Sequence, residues 1–476
     1  MSSNSLSTDP ADLFAQLYDA AEPFDVEAAR RWDFDRGLRK LTARVEEQVV
    51  ATGEAAGPLF TYLLGDEGSG HFAILRGLDR ALSYVNPFSG RFDPGNMYRI
   101  AIRVARRARL NTDAVPGALL FNCAFAGRPL GIPAKSQFFE LVRVPAASWE
   151  SVQHAWLDSV LDAPIKRVEE PRDLRIAVGC APMVETYDEL EMETRECSGQ
   201  RRYRIRPRPE ALRERVERVL RALDASGAVV GLLPEATLSD ELLQEWRAVL
   251  KQHRKVPTNL RWIVVGTGPV GDVEPPYNRA IVLDRLTGQT LIEYDKQADF
   301  SLTASQVQTW ALTPYLGSGE AAEDITRGDV VQLRECNVGR VAMLICEDLG
   351  RTMEIGPRLR DCGVSHVFAP IFSPPFTGQY GWVEGPARDY VFQVGAWVVV
   401  ANSLAVCSAM ANDAEATDDM KRAAAEAPTC YAIGPRAKRR NDWRVPPAQA
   451  KRSAGPEAVE LVYVDGGMAR RYDDFS

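Results

Sequence analysis

From residue 174 onward, this sequence alternates short, nearly continuous apolar runs with longer amphipathic stretches. Buried strands covered by surface helices produce that rhythm, and it constrains the fold to a layered α/β arrangement. Strand patterns fall at Leu174–Gly179, Ala228–Leu233, Trp262–Gly266, Val330–Leu333, Val341–Ile345, Val364–Pro370, Trp397–Asn402 and Ala458–Val464. Helical spacing marks Pro209–Leu223, with proline near its first turn, and Asp240–His253, with Ser239 or Asp240 placed to cap it. Arg279–Asp284 and Gln289–Tyr294 read as a hairpin around Leu286-Thr287-Gly288.

Ahead of this stretch the pattern is mixed, and Glu169-Glu170-Pro171-Arg172-Asp173 reads as a polar linker. We therefore expect an α+β domain over 1–168 and a larger α/β domain over 174–476. In the first, helical spacing covers Asp12–Ala21, Val26–Glu47, His71–Tyr84, Met97–Leu110 and Ser148–Leu161. Strand patterns cover Leu59–Leu64, Leu119–Phe125 and Phe138–Val144. Arg201–Arg208 reads as a loop, and Asn412–Pro428 and Arg436–Gln449 as surface excursions.

Composition narrows the functions. A formal net charge of -8 over 476 residues gives no bulk attraction to nucleic acid or anionic membrane. No apolar run reaches the roughly 18–20 residues that cross a bilayer. The first ten residues lack the basic and apolar regions of a secretory signal, so a cytoplasmic location is expected. Eight cysteines stand singly with no C-x-x-C pair, which argues against a disulfide framework and a thiolate zinc site. The four histidines, His71, His154, His253 and His366, are far apart, so no H-E-x-x-H metal site exists.

Three strand ends each present one reactive side chain. Leu232-Leu233-Pro234-Glu235 carries a carboxylate, Tyr294-Asp295-Lys296-Gln297 an ammonium, and Leu344-Ile345-Cys346-Glu347-Asp348 a thiol. Layered α/β folds gather their sites at such ends. The three types also work together chemically. Thiolate is the nucleophilic form of cysteine, a nearby Lys⁺ favours it, and a carboxylate can take its proton. Attack on an amide or nitrile carbon develops charge that Lys296 and the backbone N–H of Glu347 could stabilise. An acylated Cys346 would then be cleared by water that Glu235 activates.

These segments resemble the nitrilase, or carbon–nitrogen hydrolase, superfamily, whose members carry a Glu-Lys-Cys triad in this chain order. The resemblance covers Leu174 to the C-terminus. It rests on Pro234-Glu235, on Tyr277-Asn278-Arg279-Ala280 leading into Tyr294-Asp295-Lys296, and on Ile345-Cys346-Glu347-Asp348. Trp382, Ala387-Arg388 and Val400-Ala401-Asn402 complete it. Cys-Glu-Asp-Leu and Lys-Gln are most similar to the glutaminase domain of glutamine-dependent NAD synthetase. The Ser-Gly-Gly phosphate loop of the synthetase half has no counterpart here.

The resemblance implies an α-β-β-α sandwich and hydrolysis of a small amide through a Cys346 thioester, with Glu235 as base. It implies no metal or organic cofactor, and it implies a homodimer or higher oligomer. It also implies a second glutamate after the lysine, for which Glu323 is preferred over Glu320. Ser301–Gly319 departs from the family pattern and is expected to shape the substrate pocket.

Two other functions fit the same residues. Attack of an amine on the thioester would make an N-acyltransferase. Alternatively, the first 168 residues could recognise a partner, with the rest as sensor or effector. Arg99, Arg103, Arg106, Arg107 and Arg109 form a basic stripe that reads as a solvated helix face. Gly65-Asp66-Glu67-Gly68-Ser69-Gly70 reads as a plain turn, because its acids would repel phosphate. Cys362 and Cys407 read as structural.

Overall fold

The computed structural model describes residues 6–83, 117–123, 135, 138–156, 175–336, 339–378, 381–439 and 442–465. The expected helix Met97–Leu110, with its arginine stripe, and the linker at 169–173 lie outside these residues.

Two sheets face each other. The first has six strands, in the order Thr290–Asp295, Tyr277–Asp284, Trp262–Val270, Val230–Leu232, Arg175–Cys180 and Glu460–Asp465. The second has seven: Gln449–Lys451, Cys430–Ile433, Trp397–Asn402, His366–Ile371, Gly339–Met343, Val331–Cys336 and Val152–Trp156.

Period-two alternation sorts the side chains of the first sheet between two cores. Val230, Leu232, Trp262, Val264, Ala280 and Val282 share one core with Val341, Met343, Val367 and Val399 of the second sheet. The intervening Ile263, Val265, Ile281 and Leu283 instead join Leu212, Val216 and Leu220 of helix Pro209–Ser226. Leu242 and Trp246 of helix Asp240–His253 belong to that second core too. A Cβ at Gly179 or Gly231 would stand 3.0 or 2.9 Å from the methyls of Leu223, so glycine lets this helix lie close to its sheet. Helices Thr352–Asp361 and Glu384–Gln393 add Ile355, Leu359, Tyr390 and Val391 to the core of the second sheet. The result is the expected α-β-β-α sandwich.

Val230–Leu232 runs parallel to both its neighbours, as does His366–Ile371. Parallel strands bring their C-terminal ends to one edge of a sheet. Glu235 and Cys346 follow such ends.

Four sequence expectations change. Leu59–Leu64 is not a strand: Pro58–Leu64 is a helix that opens on proline and buries Phe60 and Leu63, one turn apart. Arg201–Arg208 is not a loop. Gln200–Pro207 is a strand, antiparallel to Leu190–Cys197 and parallel to Ala321–Glu323, in a small four-stranded sheet. Ser148–Leu161 is not one helix either. After the short helix Ala146–Trp149, Val152–Trp156 forms the edge strand of the seven-stranded sheet, pairing with Val331–Cys336. A division at residue 168 therefore leaves one strand of the sandwich on its N-terminal side. Val26–Glu47 is divided in two at Asp35, whose carboxylate caps the second helix, Arg36–Thr52.

The helices over 10–83 gather around a core of their own. The strands Gly117–Phe121 and Leu141–Pro145 stand between that core and the sandwich. Leu119, Phe121 and Leu141 belong to the first, while Ala118, Leu120, Val142 and Val144 belong to the second. A buried polar knot fastens the junction. Arg340 donates to Glu335, to the carbonyl of Phe121 at 2.8 Å and to that of Cys362, and His154 meets Glu335 at 3.0 Å. Among the described residues, no helix is long and apolar enough to cross a membrane.

Candidate active site

The fold brings Glu235, Lys296, Glu323 and Cys346 to one buried cavity. Glu235 and Cys346 come from different sheets but dock on one strand end. The Glu235 N–H donates to the carbonyl of Ile371 at 3.2 Å, and the Cys346 N–H to that of Pro370 at 3.0 Å. Lys296 follows the hairpin strand Thr290–Asp295, and its N–H is held by the Asn278 carbonyl at 2.9 Å. Glu323 ends the short strand Ala321–Glu323, and its N–H meets the Phe300 carbonyl at 2.8 Å. Glu320, three residues earlier, is exposed and outside the cluster.

Lys296 Nζ donates to Glu235 Oε1 at 2.9 Å and to Glu323 Oε2 at 2.7 Å. The ammonium is 2% exposed. Burial opposes its charge, but the two carboxylates outweigh burial and hold it well above the usual lysine range. Glu323 is raised by burial and by the charge of Glu235, against the pull of Lys296. For Cys346, burial and the Glu235 carboxylate push the thiol well up, with Lys296 working the other way. The Cys346 thiol is thus neutral beside a carboxylate. Its Sγ lies 4.0 Å from the Phe372 carbonyl.

Cys346 has φ 46° and ψ −103°, outside the region L-residues favour. This sharp turn projects the thiol from the end of its strand into the cavity, before the helix Glu347–Gly350 begins. The Glu347 carboxylate is turned to Arg351, at 3.0 Å. Ala236, next to the candidate base, also has positive φ.

Asn278 belongs to the site, although it stood in the sequence reading only as part of a matching segment. Its amide donates to Glu235 Oε1 at 2.8 Å and to Glu323 Oε1 at 3.0 Å. Thr267 fixes its orientation by donating to Oδ1 at 2.8 Å. Two carboxylates thus share one lysine and one amide. Ser373 anchors the loop behind the thiol, receiving the Trp382 indole N–H at 2.9 Å and pairing with the Asn402 side chain at 2.8 and 3.0 Å. That is the physical content of the matching residues after the cysteine. Leu302, Trp310 and Leu312 of the Ser301–Gly319 stretch line the cavity, together with Phe300 just before it. Tyr203 and Phe372 add walls that sequence reasoning had not singled out. Among the described residues, no group of His, Cys, Asp and Glu is arranged to hold a metal ion.

No protein-family profile and no curated protein matches the chain. Solved structures do. Saccharomyces cerevisiae Nit3, a member of branch 10 of the nitrilase superfamily, matches at 13% identity and a TM-score of 0.38, over 63% of this chain and 92% of that one. XC1258 from Xanthomonas campestris, a CN-hydrolase superfamily protein, matches at 12% identity and 0.36, over 61% and 91%. Glutamine-dependent NAD+ synthetase from Acinetobacter baumannii matches at 16% and 0.32, over 48% of this chain and 38% of that one. None of these likenesses reaches a TM-score of 0.5, and the site rests on its own geometry. The chain is similar in fold to structures of the nitrilase, or carbon–nitrogen hydrolase, superfamily.

Proposed function

We propose that this chain hydrolyses a non-peptide C–N bond of a small amide through a thioester on Cys346. The observation that carries the reading is the Lys296 ammonium held between Glu235 and Glu323 in the cavity that contains the Cys346 thiol. Glu235 takes the thiol proton as sulfur attacks the amide carbon, so that thiolate forms only as it is consumed. Lys296 and the backbone N–H of Glu347 stabilise the oxyanion of the tetrahedral adduct. Glu235 returns its proton to the leaving nitrogen, ammonia departs, and the acyl group remains on sulfur. Water then attacks the thioester with Glu235 as base, releasing the carboxylic acid and the free thiol. Glu323 and Asn278 keep the charge and position of Lys296 fixed.

Intact-protein mass spectrometry with pooled small amides, read beside ammonia release, tests this. An acyl adduct on wild type that is missing from Cys346→Ala, with ammonia formed, supports the reading. Ammonia formed equally well by Cys346→Ala would overturn it.

A further inference from the structure

Resting on the amide-hydrolase reading, we infer that the acyl group this site accepts is short and uncharged, and that Phe300 and Trp310 set its length. The cavity at Cys346 has a free volume of about 50 Å³. A single water needs roughly 10–15 Å³ by such a measure, so the space beside the thiol suits a small acyl group better than a long one. Among the described residues, charge in its lining comes only from Glu235, Lys296 and Glu323, all engaged with one another or with Asn278. The other walls include Tyr203, Phe300, Leu302, Trp310, Leu312 and Phe372.

Two arginines on the strand that lines the cavity face away from it. On strand Gln200–Pro207, Tyr203 and Ile205 turn into the cavity, so Arg202 and Arg204 turn to the opposite face by the period of two. There Arg204 meets Asp324 at 2.7 Å and Glu274 at 2.9 Å, and Arg202 donates to the Glu323 carbonyl at 3.2 Å. The ammonium and carboxylate of an amino-acid amide such as glutamine would meet no unengaged charge among the described residues that line this cavity, which desolvation opposes.

The aromatic wall is fixed rather than loose. The Phe300 and Trp310 rings stack with centroids 5.9 Å apart and planes 7° apart. The Phe300 N–H donates to Glu323 Oε2 at 3.1 Å, and the Tyr187 hydroxyl to the Trp310 carbonyl at 2.8 Å. The pair therefore forms a stiff apolar wall of the cavity.

Alkylation of Cys346 by iodoacetamide, followed by peptide mass spectrometry on the full chain, reads occupancy independently of turnover. Butyramide, hexanamide and glutamine are compared as protectants and, in parallel, as sources of ammonia. Butyramide is expected to slow alkylation and release ammonia, about tenfold or more better than hexanamide or glutamine. Trp310→Ala, or Phe300→Ala if that variant does not fold, should bring hexanamide up to butyramide. Protection by butyramide without ammonia would keep the pocket assignment and sink the hydrolase reading. Turnover of glutamine at a rate matching butyramide would sink the pocket assignment and keep the hydrolase. No protection by any of the three amides would overturn the inference.

Discussion

The carboxylate of Asp348 binds the backbone of Gln297, accepting its N–H at 3.1 Å and so tying the cysteine turn to the lysine turn. The same carboxylate accepts the N–H of Ala298 at 2.9 Å, the N–H of Ile345 at 3.3 Å and the Tyr294 hydroxyl at 3.0 Å. Two catalytic candidates 50 residues apart in sequence thus share one buried anchor.

Burial pushes the Asp348 carboxyl up to about 6, against the pull of Lys296 and its backbone donors. A carboxyl raised on folding contributes most below its unfolded value of about 3.9 and loses that contribution as pH rises through the folded value. Asp348→Asn removes the titration. Wild-type stability relative to the variant, from urea unfolding, should therefore decline by about 2 kcal/mol between about pH 4 and about pH 7. A difference that stays constant over this range would remove Asp348 from the groups that titrate on folding.

Cys346 combines the proposed nucleophile with a strained backbone, and substitutions separate the two. Cys346→Ser should lose turnover by on the order of 10³-fold or more while folding normally, since an alkoxide is far harder to form than a thiolate. Cys346→Ala and Cys346→Gly should both be inactive, yet glycine should be the more stable by about 1–2 kcal/mol, because only it relaxes at φ 46°. Equal midpoints in denaturant would count against strain at this turn.

Lys296→Met leaves two buried carboxylates facing each other. Turnover should fall by about 10²–10³-fold, and stability by about 3 kcal/mol or more at about pH 8. Repulsion raises the folded pKa of the pair, so stability should be regained as pH falls and one carboxylate takes a proton. A stability loss that is the same at about pH 5 and pH 8 would show that the carboxylates do not repel as described.

Asn278→Ala removes the amide that holds Glu235 and Glu323 together on Lys296. A misplaced base should lower kcat by about 10²-fold, with a smaller change in KM, since the amide does not hold the acyl group. A rise in KM alone, with kcat intact, would instead make Asn278 a substrate-binding residue.

The sandwich was legible because its strands are either continuous apolar runs or clean alternations. Asp240–His253 and Trp397–Asn402 have the bounds their patterns suggest. The three strand-end residues were legible because each follows an apolar run directly. The misreadings have physical causes. In Gln200–Pro207 the charge of four arginines hid the alternation of Tyr203, Ile205 and Pro207. In Pro58–Leu64 an apolar run of strand length concealed the three-residue spacing of Phe60 and Leu63. Asn278 and Asp348 escaped assignment because an amide or a carboxylate gains its meaning from partners far along the chain. Thr267, Glu235, Glu323 and Gln297 meet them only in three dimensions.

The strand Val152–Trp156 covers one margin of the seven-stranded sheet. A chain cut to begin at residue 175 would keep the triad and lose that cover, baring the N–H and C=O groups along one side of Val331–Cys336. Such a row is a template for pairing with another molecule. The shortened protein should therefore self-associate into aggregates, and the sandwich cannot be transplanted as a cassette without the residues that precede it.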